Sequence, residues 1–356
     1  MAGTSQTMSS AVEFLQRFQQ RVVPDHIPVS ASMALTHRCA LQCRFCYCRG
    51  AKLSCAEASA DSWCRWLDEA VDAGCLHLLL TGGDPMIRAD FPRIYQHARS
   101  RGLLVTVFAS GLSVSDEVLA VFADYPPTTV EVSVYGASED TYRNLTGRSD
   151  AWERVCHGLD RLAAAKVRLH IKTLLMKENQ HEFTAIESMA RAYGSNFRFD
   201  ACLFPTLGGD PSPLKQRVPP EQAVELEFLD PERCGVWSRF AQGQSEDGTD
   251  DRLYQCGAGT TAFHIDPDGM FRPCLMVRDF GVNLHGVPLA SAWKETLAHM
   301  QALRMPPDMP CRGCDKQAYC GYCPAYFQVE TGDPTRRVDY MCEIGHLRWK
   351  KIHATI

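Results

Sequence analysis

Between residues 29 and 204 the chain alternates short apolar runs with amphipathic stretches, and this alternation restricts the fold more than any other feature. The apolar runs cover 29–35, 76–81, 103–108, 129–134, 167–175 and 197–204. Between them, apolar residues recur at helical spacing over 56–73, 91–100, 116–123, 151–165 and 182–192. Repeated strand–helix units imply a parallel sheet with right-handed crossovers. Six units fall short of a closed eight-fold barrel. The expected fold class is therefore α/β, with an open, partial (β/α)6 TIM-like barrel.

The flanking regions differ in texture. Residues 11–23 carry apolar side chains at helical spacing and predict a short leading helix. Residues 205–220 are rich in Pro and Gly and read as a linker, and the polar stretch 241–252 reads as an exposed loop. Beyond it, Asp266-Pro267-Asp268-Gly269 separates two apolar segments, 262–265 and 270–273. Proline presets φ and glycine accepts positive φ, so a β-hairpin is predicted there. A closing helix is expected over about 343–351. The chain thus divides into a leader (1–28), a barrel (29–225), a linker (226–253), a small cysteine-rich domain with the hairpin (254–345) and a helix end (346–356).

Seventeen cysteines are too many for an ordinary globular chain of 356 residues. In a short secreted protein they would suggest disulfides. Here residues 1–10 are polar and lack a signal-peptide core, so metal or redox use is expected, in the cytoplasm. A net charge of −5 gives no electrostatic reason to expect nucleic acid or an anionic membrane as partner. No apolar run reaches the ~20 residues that a membrane helix requires.

Cys39, Cys43 and Cys46 follow the first predicted strand at CxxxCxxC spacing. Thiolates are soft ligands that favour iron–sulfur clusters or zinc. A ferredoxin-type cluster takes four cysteines, so three leave one metal position open, as catalytic sites do. A zinc knob with Cys48 as fourth ligand, or three buried cysteines, is the competing reading. At the end of the second strand stand Gly82, Gly83, Asp84 and Pro85. The glycines permit close backbone approach to a ligand, and the carboxylate suits an ammonium group; a plain turn is the alternative. Ser110 ends the third strand and Ser133 the fourth; both also suit turns or helix caps. Lys172 and Asp200 fall on the fifth and sixth strands, on a face that alternation alone does not fix.

A second field contains Cys256 and Cys274 around the predicted hairpin, then Cys311, Cys314, Cys320, Cys323 and Cys342. Paired CxxC spacings indicate metal, and two zinc sites fit them as well as clusters do. Cys48, Cys55, Cys64, Cys75, Cys156, Cys202 and Cys234 remain outside both groups and mostly read as small buried hydrophobes.

The triplet resembles the CxxxCxΦC motif of the radical S-adenosylmethionine (SAM) superfamily, with Phe45 at the aromatic position near the adenine. The resemblance implies a 4Fe-4S cluster whose open iron is chelated by SAM, and reductive cleavage to a 5′-deoxyadenosyl radical. Residues 82–85 are similar to the family's GGEP motif, which holds the methionyl amino group, with Asp84 in place of Glu. Residues 108–111 resemble its TNG segment, and Ser133 matches a serine that contacts the cofactor; Tyr135, just beyond it, is a further active-site candidate. Residues 254–345 resemble the SPASM domain, which carries two auxiliary iron–sulfur clusters. That resemblance assigns Cys311, Cys314, Cys320 and Cys342 to a distal cluster and Cys256, Cys274 and Cys323 to a proximal one. The proximal set lacks a fourth cysteine, since 257–262 contain none, and the last CxxC has one residue fewer than is usual.

SPASM-containing relatives often modify ribosomally made peptides, so the resemblance implies an enzyme that abstracts a hydrogen from a peptide and forms a cross-link or related bond. An electron donor such as flavodoxin or ferredoxin is implied. Only 28 residues precede the first strand, so a separate peptide-recognition protein, or a short contact surface on the enzyme, is expected. Leu275 stands where sulfatase maturases carry an acidic base, which argues against that activity. A small molecule in cofactor biosynthesis is the alternative substrate, and a non-enzymatic zinc or electron-transfer protein is the alternative of a different class.

Overall fold

The computed structural model describes residues 13–14, 17–18, 20–242 and 250–354. The leading helix predicted over 11–23 lies partly outside these residues; 13–14, 17–18 and 20–22 are helical. Most of the loop predicted over 241–252 also lies outside them.

Six parallel strands form the first part of the sheet, each beside the next in sequence: β1 (Ser30–Thr36), β2 (His77–Gly82), β3 (Leu104–Ala109), β4 (Thr129–Ser133), β5 (Leu169–Leu174) and β6 (Asn196–Asp200). The helices that link them are α1 (Ala60–Asp72), α2 (Phe91–Ser100), α3 (Asp116–Asp124), α4 (Glu139–Thr146), α5 (Ala151–Ala164) and α6 (Phe183–Ala192). This is the mixed α/β architecture of a partial TIM-like barrel.

Strand alternation assigns the two faces of the sheet. Met33, Leu80, Val107, Val132 and Ile171 are fully buried in one core with the apolar sides of the helices. Helix α1 contributes Trp63, Trp66 and Leu67, none of them exposed, and starts where the Ser59 hydroxyl accepts from the Ser62 N–H. The other face carries Ser32, Phe108, Glu131, Ser133 and Lys172, all half-buried, and exposed Arg198. Of these, Phe108, Ser133 and Lys172 line a cavity at the strand ends.

Helix α4 is absent from the sequence reading because it is short and its apolar residues are few. Its ends carry the signal instead: the Ser138 hydroxyl accepts from the Thr141 N–H, and Gly147 terminates it at φ +69°. The apolar run predicted over 197–204 stops as a strand at Asp200. Past that point the carbonyls of Ala201, Cys202 and Leu203 accept from Tyr340, Tyr326 and Arg217 side chains, so no ladder forms. The expected linkers also carry structure. Residues Ser212–Gln216 form a short 3-10 turn, followed by α7 (Pro220–Glu227) and α8 (Pro231–Gln242).

The predicted hairpin is present as β7 (Ala262–Ile265) and β8 (Met270–Arg272), followed by β9 (Val282–Asn283). Gly269 turns at φ +80°, and a Cβ there would lie 2.5 Å from Trp66. The hairpin does not stand apart: β7 pairs in parallel with β1, from Ser30 opposite Ala262 to Met33 opposite Ile265. One nine-stranded sheet results, in the order β6-β5-β4-β3-β2-β1-β7-β8-β9. Phe263, Ile265 and Phe271 join the barrel's core. Four more helices complete the chain: α9 (Leu289–Ala302), α10 (Gln317–Cys320), α11 (Pro324–Thr331) and α12 (Asp339–His353). A second, smaller core of Leu253, Tyr254, Met276, Met300, Phe327 and Met341, among others, lies against Cys274, Cys311 and Cys323.

A buried polar network fastens β7 to the barrel. The Ser32 hydroxyl lies 2.7 Å from His264 Nδ1, and His264 Nε2 lies 3.2 Å from Asp266. Arg272 Nε donates to the same carboxylate at 2.6 Å and Arg278 at 2.9 Å. Burial opposes the charge on Asp266, but hydrogen bonds from His264 and Arg278 outweigh it and hold the carboxyl far below its usual range. A carboxylate with a depressed pKa stabilises the fold above its unfolded value of about 3.9, and that contribution fades as pH falls below it. Asp266→Asn, measured by urea unfolding at pH 7, is therefore expected to cost about 3–5 kcal/mol, as breaking a buried ion pair does. The difference from wild type should narrow below about pH 4; an unchanged difference would contradict this assignment.

Candidate active site and metal centres

The loop after β1 carries Cys39, Cys43 and Cys46 and is held on two sides. Toward α4, the Gln42 N–H donates to Thr146 O at 2.9 Å and the Arg44 N–H to Leu145 O at 3.1 Å. Toward β2, the Gly83 N–H donates to Thr36 O at 2.7 Å and the Asp84 N–H to Arg38 O at 3.0 Å. Backbone meets backbone so closely that side chains have no room. A Cβ at Gly82, itself at φ +135°, would lie 2.1 Å from Thr36 O, and one at Gly83 would lie 2.3 Å from Arg38 O. The first task of the two glycines is thus to seat the cysteine loop.

All three cysteines line one cavity at the ends of the strands. Phe45, Gly82, Gly83, Ser110 and Ser133 line it as well, so most of the predicted contacts come together. Phe45 is buried and meets Tyr135, also at the cavity, edge to face at 4.8 Å. Burial pushes the Cys39 thiol up to about 11 and raises Cys43 further. Cys46 is pulled down to about 7 by hydrogen bonding with the Cys48 thiol and by backbone N–H groups, against burial. The Leu41 N–H also points at Cys39 Sγ, at 3.4 Å. Three soft donors that share a cavity, with N–H groups directed at their sulfurs, fit a thiolate-bound cluster.

Asp84 and Pro85 are placed differently from the expectation and do not line this cavity. Asp84 is fully buried; it accepts from the Ser110 hydroxyl at 2.5 Å and from the Met86 N–H at 3.1 Å. The shorter acid is drawn back beneath the cavity. Pro85 opens the 3-10 turn Pro85–Ile87. Lys172 does face the cavity, whereas Asp200 accepts from the Cys202 N–H at 2.7 Å and does not line it.

Glu131 and Arg198 escaped the sequence reading, and Phe108 enters it only within the segment 108–111. Phe108 lines the cavity, and Glu131 and Arg198 lie beside Lys172. Their signal was positional. Glu131 and Ser133 alternate on β4, opposite His170 and Lys172 on β5, and Lys172 is opposite Arg198 on β6. Polar residues at matched alternate positions of three adjacent strands mark one face.

Downstream, Cys311, Cys314, Cys320 and Cys342 line a second cavity of about 290 Å³. Gly313, at φ +71°, turns the chain between the first two. Gly345 lets α12 lie against Cys320, where a Cβ would come within 2.4 Å of the Cys320 Cβ. His346 lies one turn beyond Cys342 and lines the same cavity. Among the described residues, no group of three His, Cys, Asp or Glu side chains is arranged to hold a single metal ion. Four thiols around one cavity are soft donors of the kind that bind zinc or an iron–sulfur cluster. Cys274 is raised by burial to about 12, and Cys323 and Cys256 add to the shift, so these three are electrostatic neighbours.

Residues 33–190 match the family described as the Radical SAM superfamily. The chain is 26% identical to an AdoMet-dependent heme synthase of Methanosarcina barkeri, over 84% of this chain and 92% of that protein. It is 25% identical to a PqqA peptide cyclase of Rhodopseudomonas palustris, over 76% of this chain and 75% of that one. The fold matches that of Streptococcus suis SuiB bound to its precursor peptide SuiA, with a TM-score of 0.71 at 17% identity, over 93% of this chain and 81% of SuiB. No helix among the described residues is long and apolar enough to cross a membrane.

Gly83→Ala is expected to displace the cysteine loop, because the obstacle is backbone and cannot rotate away. Overpacking of this kind costs about 1–3 kcal/mol. Thermal unfolding should show that loss together with less iron bound per chain, and a variant that keeps wild-type iron and stability would refute the seating role.

Proposed function

We propose that this chain, a member of the radical SAM superfamily, cleaves SAM reductively and uses the resulting radical to remove a hydrogen atom from a ribosomally made peptide, forming a cross-link or related bond. When bound, the cluster supplies the electron that breaks the sulfonium bond. The protein's part is to hold, orient and shield. The observation that carries the reading is the meeting of Cys39, Cys43, Cys46, Gly82, Gly83 and Ser133 around one cavity. In this reading the three cysteines hold a 4Fe-4S cluster with one open iron. Phe45, Gly82, Gly83, Ser110 and Ser133 contact SAM, while Asp84 acts from beneath through Ser110.

Cys311, Cys314, Cys320 and Cys342 hold a distal auxiliary cluster. Cys256, Cys274 and Cys323 hold a proximal one whose fourth position is open or filled by another residue. Clusters held there would supply an acceptor for the electron left over when the new bond forms. The enzyme works in the cytoplasm, receives electrons from a flavodoxin or ferredoxin, and meets its peptide with the help of a separate recognition protein. Similarity to PqqA peptide cyclase, at 25% identity, supports a peptide substrate. The heme synthase relative, at 26% identity, favours a second reading with a small-molecule substrate.

Anaerobic protein given dithionite and SAM is expected to release 5′-deoxyadenosine, and to modify a small peptide encoded beside its gene, detected by mass spectrometry as loss of two hydrogens. No 5′-deoxyadenosine from wild type would sink the reading. 5′-Deoxyadenosine with an unmodified peptide would direct attention to the small-molecule class. Cys342→Ala should lower iron and sulfide together while SAM cleavage persists; loss of zinc without sulfide would overturn the auxiliary-cluster assignment.

A further inference from the structure

The cavity lined by Cys311, Cys314, Cys320 and Cys342 has a rim of one sign. Its charged lining side chains are Arg312, Lys316 and Arg337, joined by His346, and among the described residues no Asp or Glu lines it. The chain as a whole carries a net charge of −5, so this rim stands against the overall sign. None of the four thiols is buried, whereas Cys43 at the strand ends is. A molecule that docks from outside can therefore come close to them.

Two of the three cations have a carboxylate beside them. Lys316 Nζ lies 2.8 Å from Asp315 and Arg337 Nε lies 3.2 Å from Asp339. Those carboxylates are 71% and 88% exposed and do not line the cavity, and exposed pairs of this kind are weak. Arg312 is exposed and forms no ion pair among the described residues. An aromatic surface adjoins the rim. Cys342, His346, Trp349 and His353 recur at helical spacing along α12. Lys316 Nζ stands 4.6 Å from the centre of the half-buried Trp349 ring, which stacks on His353 at 4.4 Å. Arg and Trp are the residue types that most often anchor a protein interface.

We propose that flavodoxin docks on this rim, with its acidic surface against Arg312, Lys316 and Arg337 and its flavin edge toward Trp349. The inference rests on the reading of the four cysteines as holders of a distal iron–sulfur cluster. One electron crosses between the flavin and the group that the cysteines hold; no bond forms or breaks, and one partner is oxidised as the other is reduced. Charge selects the face, because an acidic protein is repelled by the net charge of this chain and attracted here. Electron-transfer encounters lie at the small end of interface sizes, below about 1,200 Å², so a few side chains around a cavity mouth are enough. The indole face suits the apolar edge of a flavin.

The test is calorimetric titration of the anaerobically reconstituted full chain with a recombinant bacterial flavodoxin. Salt is set at about 10 mM, where the screening length is about 30 Å, and at about 1 M, where it is about 3 Å. Wild type should bind at low salt and lose that affinity at high salt. Arg312→Glu/Arg337→Glu should weaken low-salt binding by at least about tenfold, the lower end of what electrostatic steering lends to association. Arg312→Gln/Arg337→Gln should fall between the two. Arg143→Glu/Arg154→Glu, an equal change of charge on α4 and α5, should leave binding unchanged. Melting temperature and iron content check that the variants are folded and loaded. Folded rim variants that bind as wild type does, or a control pair weakened as much as they are, overturn this proposal alone. A loaded wild type that does not bind at low salt does the same, and tighter binding of an acidic 2Fe-2S ferredoxin overturns the choice of carrier. Wild type with iron and sulfide for a single cluster overturns the auxiliary-cluster reading, and this docking face with it.

Discussion

The whole site depends on a close backbone contact, that of the cysteine loop with the end of β2. Thr36 O and Arg38 O accept from the N–H groups of Gly83 and Asp84, at 2.7 and 3.0 Å, across a gap that admits no Cβ. Three cysteines on a free loop would find many arrangements. Pinned between β2 and the last turn of α4, they find one, and it opens onto the strand ends. The same contact brings Gly82 and Gly83 to the cavity wall, so one pair of residues both positions the three cysteines and shapes the space beside them.

Much of this was legible in the sequence because the signals were local. Strands and helices follow from periodicity, and each predicted strand of the barrel has a counterpart. Paired spacings mark the downstream cysteines as candidate metal ligands, and Cys311, Cys314, Cys320 and Cys342 line one cavity. What escaped depended on long-range partners. The run after Asp200 has strand composition, yet Tyr326, Tyr340 and Arg217 take its carbonyls. Helix α4 has too little apolar surface for a period to show. The role of Asp84 could not be read from its motif, because an acid one carbon shorter finds Ser110 within reach. Which face Lys172 takes became clear only through register with Ser133 and Arg198.

The two cysteine fields are more closely joined than their separation in sequence suggests. The hairpin between Cys256 and Cys274 belongs to the barrel's sheet and shares its core, while Cys274, Cys311 and Cys323 pack against a second core. The Asp268 carboxylate reaches back to Ser54, and Pro267 O accepts from the Ala58 N–H, both just past the first triplet. Contacts from the hairpin therefore fix the segment that leads out of the reactive loop.

Strand β1 lies between β2 and β7, and its Ser32 pairs with His264, 232 residues away. During synthesis at about 5–20 residues per second, one side of that strand stays bare for roughly ten to fifty seconds after it leaves the ribosome. The strand that presents the cysteine loop is the last of the barrel strands with two neighbours to gain its second one. The order of manufacture thus leaves the loop after β1 reachable for an interval, and the arrival of β7 ends it.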